Sequence, residues 1–281
     1  MKKIINYVWI LPVITVLTVL ILLPLVQTIV ASFFHSTIAH GSRFVGFHNF
    51  HAIMKSGEFF SAFLRTVIFT IPAILLKLTL GLTAAIILNN SFHGRNLFRT
   101  WLFVPWTIPH FACGILAIWI FRMNGAMNLI LSKIGIHPVY WLGPQLAMAS
   151  VIMVNVWKGI PFFMVGILAG LQVIPNERYE ASAIDGASGI QQFIYVTVPG
   201  IRNVLLIITV LSTIWTFSQF ESIFVITMGG PGNATETLAI SVYMKAFGES
   251  NFSQASAIAV MALPFFLFLI FLACSPDHEG G

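Results

Sequence analysis

Charged residues are scarce in this 281-residue sequence, at 8% of the total, whereas about a quarter of the residues in soluble globular domains are charged. Hydrophobic residues make up 58%. These two features exclude an ordinary soluble domain and indicate an integral membrane protein. The formal net charge of +5 suits a position beside anionic lipid headgroups. No basic cluster is dense enough to predict nucleic-acid binding.

Several motifs of catalysis and metal binding are missing. The sequence has two cysteines, Cys113 and Cys274, and neither has the spacing of a metal ligand. No Gly-x-x-x-x-Gly-Lys-Ser/Thr run occurs, which excludes ATP hydrolysis by a P-loop. His-Glu-x-x-His and Gly-x-Ser-x-Gly are also absent. We therefore predict a non-catalytic chain with no catalytic residues, no metal site and no cofactor of its own.

The apolar residues form six long runs. Each is at or above the roughly 20 residues that an α-helix needs to cross about 30 Å of hydrocarbon, and a backbone in lipid must satisfy its own hydrogen bonds. The first run is too long for the core of a signal peptide, so we expect it to be retained. We predict an all-α membrane protein with a single transmembrane domain, residues 1–281, and six spans. These lie near Val8–Phe34, Ser61–Leu88, Thr100–Phe121, Pro144–Ile174, Asn203–Met228 and Phe252–Cys274.

Six spans place both termini on one side of the membrane. Lysine and arginine normally mark the cytoplasmic side. However, the loops on the side of the termini carry six of these residues and the opposite loops carry five. Charge alone leaves the orientation open.

Residues 176–199 separate the fourth and fifth spans and are too polar to form a span. Asp185 and Gly186 predict the end of one short helix, because glycine tolerates the positive φ that ends a helix. Ser188 and Gln191 have the spacing of a capping box and predict the start of a second helix. The stretch is therefore predicted to be a helical elbow. From physics alone, an amphipathic loop lying on the headgroups is the simpler alternative to a docking element.

The same stretch resembles the EAA loop, E-A-A-x-x-D-G-A-x-x-x-x-x-F-x-x-I-x-L-P, of permease subunits in binding-protein-dependent ATP-binding-cassette importers. Serine stands in place of the second alanine, and Val196 and Val198 stand in place of Ile and Leu. In that family the loop docks in a cleft of the cytoplasmic ATPase subunit. The resemblance thus implies a cytoplasmic coupling helix and cytoplasmic termini. The coupling residues that it implies are Glu180, Ala181, Ser182, Asp185, Gly186, Ala187, Phe193 and Pro199.

A second resemblance covers WTFSQFESIFVITMGGPGNATETL, Trp215 to Leu238. It is similar to the signature of the sugar-importing branch, the maltose- and glycerol-phosphate-type permeases, although Ser218 and Gln219 depart from that pattern. The resemblance implies a multi-pass permease of the bacterial inner membrane that forms half of a sugar path. It also implies a second permease subunit, expected to be a different chain, and an extracellular or periplasmic substrate-binding protein. ATP and Mg would be bound by two partner ATPase subunits.

Polar and charged residues inside the spans are candidates for substrate contact, because burying them costs several kcal/mol unless they pair or meet water. At 1.5 Å per residue, Lys158 and Trp215 lie at similar depths, roughly 20 Å from the outer ends of their spans. Such groups suit sugar hydroxyls and C–H surfaces, but they also join helices in membranes. Lys77 either pairs within the bundle or belongs to the path. The path candidates are Asn155, Trp157, Lys158, Trp215, Ser218, Gln219, Glu221 and Ser222.

Two other functions are open alternatives at this point. An ion-coupled secondary transporter would depend on Glu221, the acid inside a predicted span. A membrane enzyme would need a catalytic cluster, but His93, His110 and His137 lie at different predicted depths. Neither alternative explains the elbow.

Two further predictions are structural. Gly166 and Gly170 form a small-x-x-x-small pair that predicts close helix contact. The outer connection between the third and fourth spans, which contains Asn124, Gly125, Asn128, Lys133 and the Gly-Pro stretch at Gly143, is polar. We predict that it is exposed, on the side where the resemblance places the substrate-binding protein.

Overall fold

The computed structural model describes residues 2–37 and 41–274. These residues are mostly helical, and they also form one two-stranded antiparallel sheet. They divide into two compact units. One unit contains the described residues up to Phe63 together with Leu238–Phe265, and the other contains Leu64–Thr237 together with the described residues from Phe266 onward.

Helices follow one another along most of the chain, with one hairpin near its N-terminus. The N-terminal half contains α1 (Lys2–Leu17), a π-helical turn (Thr18–Leu22), α2 (Leu23–Ser32), β1 (Phe34–Thr37), β2 (Gly41–Phe44), α3 (His48–Ser56), α4 (Glu58–Asn89), α5 (Arg95–Thr107), α6 (His110–Phe121) and α7 (Ala126–Lys133). The C-terminal half contains α8 (Ala147–Val173), α9 (Asn176–Ile184), α10 (Gly189–Gln192), a π-helical turn (Phe193–Thr197), α11 (Val198–Gly200), α12 (Arg202–Phe217), α13 (Glu221–Thr227), α14 (Leu238–Tyr243), a π-helical turn (Met244–Gly248) and α15 (Phe252–Cys274).

By length and composition, five helical segments in the described part of the chain are able to cross a membrane. They are Ile10–Ser32, Glu58–Asn89, His110–Lys133, Ala147–Val173 and Phe252–Leu272. A sixth is counted if the bent pair Gly189–Gly200 and Arg202–Phe217, which meet at 66°, forms one broken span. The chain is therefore a helical membrane protein with five to six candidate spans.

The predicted third span is not one continuous helix. It divides into α5 and α6 at Ile108, whose backbone is extended, with φ −75° and ψ 129°. The cause is Pro109, because the proline ring disfavours helical backbone in the residue before it.

The predicted fifth span is also interrupted, because α12 ends at Phe217 and α13 begins at Glu221. The hydroxyl of Thr216 donates to the carbonyl of Ser212 at 2.6 Å, and that of Ser218 to the carbonyl of Ile214 at 2.8 Å. Hydroxyls bonded to carbonyls four residues earlier tend to bend helices. The hydroxyl-rich end of α12 thus accounts for the local break.

The core of the second unit surrounds α8, in which fifteen residues are buried. α4 approaches it closely at Gly81, where a Cβ atom would lie 2.4 Å from the Cβ of Phe163. α12 packs on two glycines of α8, Gly166 and Gly170. A Cβ on Gly166 would lie 3.0 Å from the Cγ2 of Ile208, and Gly170 is in similarly close contact with the start of α12. The predicted close contact at these two glycines is confirmed.

In the first unit, the hairpin region is held by an aromatic cluster and one buried amide. The rings of Phe33 and Phe47 lie 5.3 Å apart in an edge-on arrangement. Asn49 is 1% exposed, and its Nδ2 donates to the carbonyls of Ser32 and Phe34, both at 2.8 Å. These bonds join α3 to the turn between α2 and β1.

Candidate functional site

A cavity of about 420 Å³ lies inside the second unit, among α4, α5, α6, α8 and α12. The two interruptions of predicted spans, at Ile108 and after Phe217, both border this cavity. The lining residues are Lys77, Trp106, Thr107, Ile108, Pro109, His110, Asn155, Lys158, Gly159, Phe162, Ser212, Trp215, Thr216 and Gln219.

Lys158 connects α8 to the break between α5 and α6. Its Nζ donates to the carbonyls of Pro105 at 3.5 Å, Trp106 at 3.3 Å and Ile108. The last carbonyls of a helix lack partners within the helix, and the negative end of the helix dipole favours a cation there. The lysine therefore satisfies the backbone that Pro109 leaves unpaired.

Lys77 connects α4 to α12. It is 3% exposed, and its Nζ donates to the hydroxyls of Ser212 at 3.3 Å and Thr216 at 2.7 Å. Its aliphatic stem lies against Gly159, where a Cβ would be 2.2 Å from the Cδ of the lysine. The missing side chain of Gly159 thus makes room for the lysine beside α8.

Three aromatic rings form one wall of the cavity. The rings of Trp106 and Phe162 are stacked, with centroids 5.4 Å apart, and Trp215 meets Phe162 edge-on at 5.0 Å. Trp106 is still 39% exposed and Trp215 50% exposed. The wall therefore presents apolar ring surface to the space beside it.

Polar amides complete the wall. Asn155 is 8% exposed, and its Oδ1 has no hydrogen-bond partner among the described residues. Gln219 is 7% exposed, and its Nε2 donates to the Oε2 of Glu221 at 3.2 Å. The cavity thus combines donors, a free acceptor and aromatic surface, which is the composition expected of a small-molecule site.

The structure brings together four of the eight path candidates. Asn155, Lys158, Trp215 and Gln219 all line the cavity, and the predicted common layer of Lys158 and Trp215 corresponds to this shared wall. The other four are not among the lining residues. Trp157 is 44% exposed, Ser218 is exposed, Ser222 is buried, and Glu221 is connected to the cavity through Gln219.

Sequence reasoning missed several cavity residues. His110, Trp106 and Thr107 come from the α5–α6 break, and the signal for them was the proline within a polar interruption of an apolar run. Ser212 and Thr216 lie one helical turn apart on α12, on the side that receives Lys77. That alignment depends on which face of α12 meets α4, so it has no local sequence signal.

The elbow after α8 has the predicted local structure. Gly186 has a φ of +80° and follows the end of α9. Both hydrogen bonds of the capping box at the start of α10 are present. The backbone N–H of Ser188 donates to the Oε1 of Gln191 at 2.7 Å, and the N–H of Gln191 donates to the Oγ of Ser188 at 3.4 Å.

The elbow presents an apolar surface that no other part of the described chain covers. Ile184 is 86% exposed, and Ile190 and Tyr195 are each 74% exposed. The residues of the EAA resemblance lie on the same segment. Glu180, Ala181, Asp185, Gly186 and Pro199 are exposed, whereas Ser182, Ala187 and Phe193 are half-buried.

The prediction of an exposed outer connection is wrong for Gly125 and Gly143, which are buried, and for Asn128. This residue is 3% exposed. Its Nδ2 donates to the carbonyls of Met123 and Val139, and its Oδ1 accepts from the N–H of Val139 and the Nε1–H of Trp141, at 2.9 to 3.0 Å. The amide holds the connection together and is not available to a partner.

Outside the candidate spans, Lys245 joins two carboxylates. Its Nζ lies 2.9 Å from the Oε2 of Glu58 and 2.8 Å from the Oε2 of Glu249. Burial by itself lowers the pKa of Lys245, but the hydrogen bonds to Glu249 and Glu58 outweigh it, so that the pKa is raised above its ordinary value of 10.5. The charged lysine is the stable form in this cluster.

Five to six candidate spans, a polar cavity within the second unit and an exposed helical elbow define a multi-pass membrane transport protein. Residues 77–275 match the family model described as the binding-protein-dependent transport system inner membrane component. The chain belongs to this family, the permeases of ATP-binding-cassette importers, and its place is the inner membrane.

Two relatives show how far this likeness extends. The chain is 36% identical over 271 residues to the trehalose/maltose transport system permease protein MalF of Thermococcus litoralis, covering 95% of this chain and 90% of that protein. It is 30% identical over 254 residues to the sulfoquinovosyl glycerol transport system permease protein SmoG of Agrobacterium fabrum, covering 89% of this chain and 82% of that protein.

A solved structure has the same fold. A chain of a bacterial alginate ABC transporter, in complex with an alginate pentasaccharide-bound periplasmic protein, superposes with a TM-score of 0.84 at 21% sequence identity. The match covers 97% of this chain and 93% of the other.

Proposed function

We propose that this chain is the permease subunit of an ATP-binding-cassette importer for sugars, that it forms half of the translocation path, and that it receives the motion of an ATPase through residues 176–199. The observation that carries the proposal is the exposed elbow of α9 and α10 in a member of this permease family. Relatives named for trehalose/maltose and sulfoquinovosyl glycerol transport support a saccharide substrate.

Coupling requires a stiff element, because a deformable linker would absorb the movement of the ATPase. The hydroxyls of Tyr179 and Thr197 lie 3.0 Å apart and join the two arms of the elbow. Its far end is packed against the end of α8. A Cβ on Gly200 would be 2.7 Å from the Cδ1 of Ile174. A push on the elbow is therefore transmitted to both α8 and α12.

The cavity supports the saccharide path. Sugar rings present hydroxyl groups at their rims and C–H groups on their faces. The amides of Asn155 and Gln219 suit the former, and the exposed rings of Trp106 and Trp215 suit the latter. These groups lie beside Lys158, within the helical bundle.

The remaining partners follow from membership of the family. A second permease chain, expected to be a different one, would supply the other half of the path. Two cytoplasmic ATPase subunits, which would bind ATP and Mg, would dock on the elbow and place both termini in the cytoplasm. A substrate-binding protein would deliver the sugar from the other side, and the alginate transporter structure, which includes a periplasmic protein with bound alginate pentasaccharide, supports this arrangement.

The family match counts against an ion-coupled secondary transporter. That function would require uptake that persists without ATP and stops when the ion gradient is dissipated. Here Glu221 is hydrogen-bonded to Gln219 and is not among the residues that line the cavity. Its position favours support of the cavity wall.

Cysteine labelling tests the orientation and the docking together. In a chain with Cys113 and Cys274 replaced by serine, Ile184→Cys is expected to react with an impermeant maleimide only in inside-out vesicles, and to be protected when the ATPase subunits are bound. Tyr140→Cys, at a residue that is 62% exposed in the α7–α8 connection, is the control and should react only in right-side-out vesicles. Labelling of Ile184→Cys from the outside, or without protection by the ATPase, would contradict the proposal.

A matched pair of glycine substitutions tests the coupling. A Cβ at Gly186 or at Gly189 meets no atom within 4 Å, but only Gly186 has a positive φ. That conformation costs an L-residue about 1–2 kcal/mol, and a β-branched residue more. Gly186→Val is expected to lower substrate-stimulated ATP turnover of the assembled complex about tenfold or more, whereas Gly189→Val changes it less than twofold. Normal substrate-stimulated ATP turnover in the Gly186→Val complex would contradict the assignment of residues 176–199 to coupling.

A further inference from the structure

Two lysines line the same intramembrane cavity without a carboxylate partner. Lys77 donates to two hydroxyls and Lys158 to backbone carbonyls, all of them neutral groups. Within residues 2–37 and 41–274, both ion pairs closer than 4 Å involve Lys245. No Asp or Glu is among the residues that line the cavity.

No carboxylate lies directly beside either lysine in the cavity wall. Glu221 reaches the wall only through Gln219. The C-terminal end of α5, which Lys158 caps, supplies only part of a negative charge. A cation buried inside the membrane without an anionic partner is costly, and an anion bound in the cavity would reduce that cost.

For Lys77, the hydrogen bonds alone do not require a cation. The hydroxyls of Ser212 and Thr216 each accept a hydrogen bond, and a neutral amide N–H could donate that bond as well as an ammonium does. A path for neutral sugars needs donors and acceptors but no net charge. An anionic group on the substrate would supply the missing charge and form charge-assisted hydrogen bonds, which are shorter and stronger than neutral ones.

We propose that the cavity binds a saccharide that carries a carboxylate, sulfonate or phosphate group, with Lys77 and Lys158 bound to that group and the sugar ring against Trp106 and Trp215. The inference rests on the proposed function, because it takes the cavity to be part of the translocation path. It adds the charge of the substrate, which the family leaves open.

The other wall groups fit the same ligand. The unpartnered Oδ1 of Asn155 is an acceptor for a sugar hydroxyl. Trp106 and Trp215 remain 39% and 50% exposed, so that a ring C–H surface has an aromatic area to cover. The anionic group and the ring therefore have separate binding surfaces in one cavity.

The test uses the complete complex in proteoliposomes, with its binding protein, and measures ATP-dependent uptake of matched sugars. The pairs are trehalose with trehalose 6-phosphate, glucosyl glycerol with sulfoquinovosyl glycerol, and a mannose disaccharide with its mannuronate counterpart. In at least one pair, the anionic member is expected to be taken up at least tenfold more efficiently, as kcat/KM. Lys77→Gln and Lys158→Gln are each expected to lower this preference at least tenfold. Lys133→Gln, at an exposed lysine outside the cavity, is the control and should leave it unchanged.

Gly159→Ala provides a second variant in case the lysine substitutions prevent folding. It keeps both charges but pushes the stem of Lys77 away from α8, and it should also lower the preference for the anionic sugar. A preference for the anionic member below tenfold in every transported pair would overturn the inference and leave the proposed function standing. Equal loss of neutral and anionic uptake in the lysine variants would also overturn it, because it would indicate a purely structural role. A complex that transports none of these sugars would overturn the saccharide assignment itself.

Discussion

Replacement of Asn128 by alanine is expected to loosen the connection between α6 and α8. The side chain makes four hydrogen bonds, to the carbonyls of Met123 and Val139 and from the N–H groups of Val139 and Trp141. Alanine can replace none of them. Since the amide is 3% exposed, the four partner groups would lose their bonds in a largely dry environment.

The size of the effect follows from the bond count. A typical intramolecular hydrogen bond contributes about 0.5–1.5 kcal/mol net, so four bonds correspond to about 2–6 kcal/mol if no water replaces them. Because exposed residues flank the buried amide on both sides in the sequence, water will replace part of the lost hydrogen bonding. We therefore expect about 2–3 kcal/mol, confined to the residues around the amide.

Hydrogen exchange measured by mass spectrometry is the appropriate assay, because it reports local opening. In Asn128→Ala, the peptide that contains Val139 should exchange at least tenfold faster, since each 1.4 kcal/mol corresponds to about a factor of ten. Asn124→Ala, at an exposed residue of the same connection, is the control and should change exchange less than twofold. Unchanged exchange around Val139 in the Asn128 variant would show that the four bonds do not hold the connection.

Two further predictions concern packing and charge. Gly81→Ala brings a Cβ to 2.4 Å from the Cβ of Phe163, whereas carbon atoms normally approach to about 3.5–4.0 Å. α4 and α8 must then separate by about 1 Å. The expected cost is about 1–3 kcal/mol, seen as a lower unfolding midpoint in detergent, and a midpoint no lower than that of Gly189→Ala would contradict the packing argument. Lys245 has a pKa raised above 10.5, so its ion cluster stabilises the fold fully below pH 10.5 and loses this contribution as the pH rises through the raised value. Because both glutamates are well exposed, Lys245→Gln should destabilise by about 1 kcal/mol or less at pH 8 and have little effect near pH 12. Equal destabilisation at both pH values would refute an electrostatic origin for the contribution of Lys245 to stability.

Local features were predictable from the residues themselves. The capping box at Ser188, the positive φ at Gly186 and the close helix contact at Gly166 and Gly170 all depend on neighbouring positions along one helix or turn. The resemblance to the EAA loop identified the same segment. These predictions succeeded because each needs only backbone geometry within a few residues.

The cavity was only partly predictable, because it depends on interruptions that hydropathy does not register. An apolar run is counted as one span whether or not a proline or a hydroxyl-rich turn divides it. Pro109 and the hydroxyls of α12 break two predicted spans. The first break brings His110 and the carbonyls that accept from Lys158 into the cavity wall, and the second brings Gln219. Asn128 shows the converse, since a polar residue in a loop was expected to be exposed and is buried.

By itself, the sequence determined the class of this protein, because long apolar runs with few charges can be stable only as helices in a membrane. It also determined the elbow, because helix ends and caps are set by adjacent residues. Only the tertiary structure decided which side chains share the cavity. Lys77 and Lys158 lie 81 positions apart in the chain, and they meet the same space only because glycine contacts let α4 and α12 pack closely on α8.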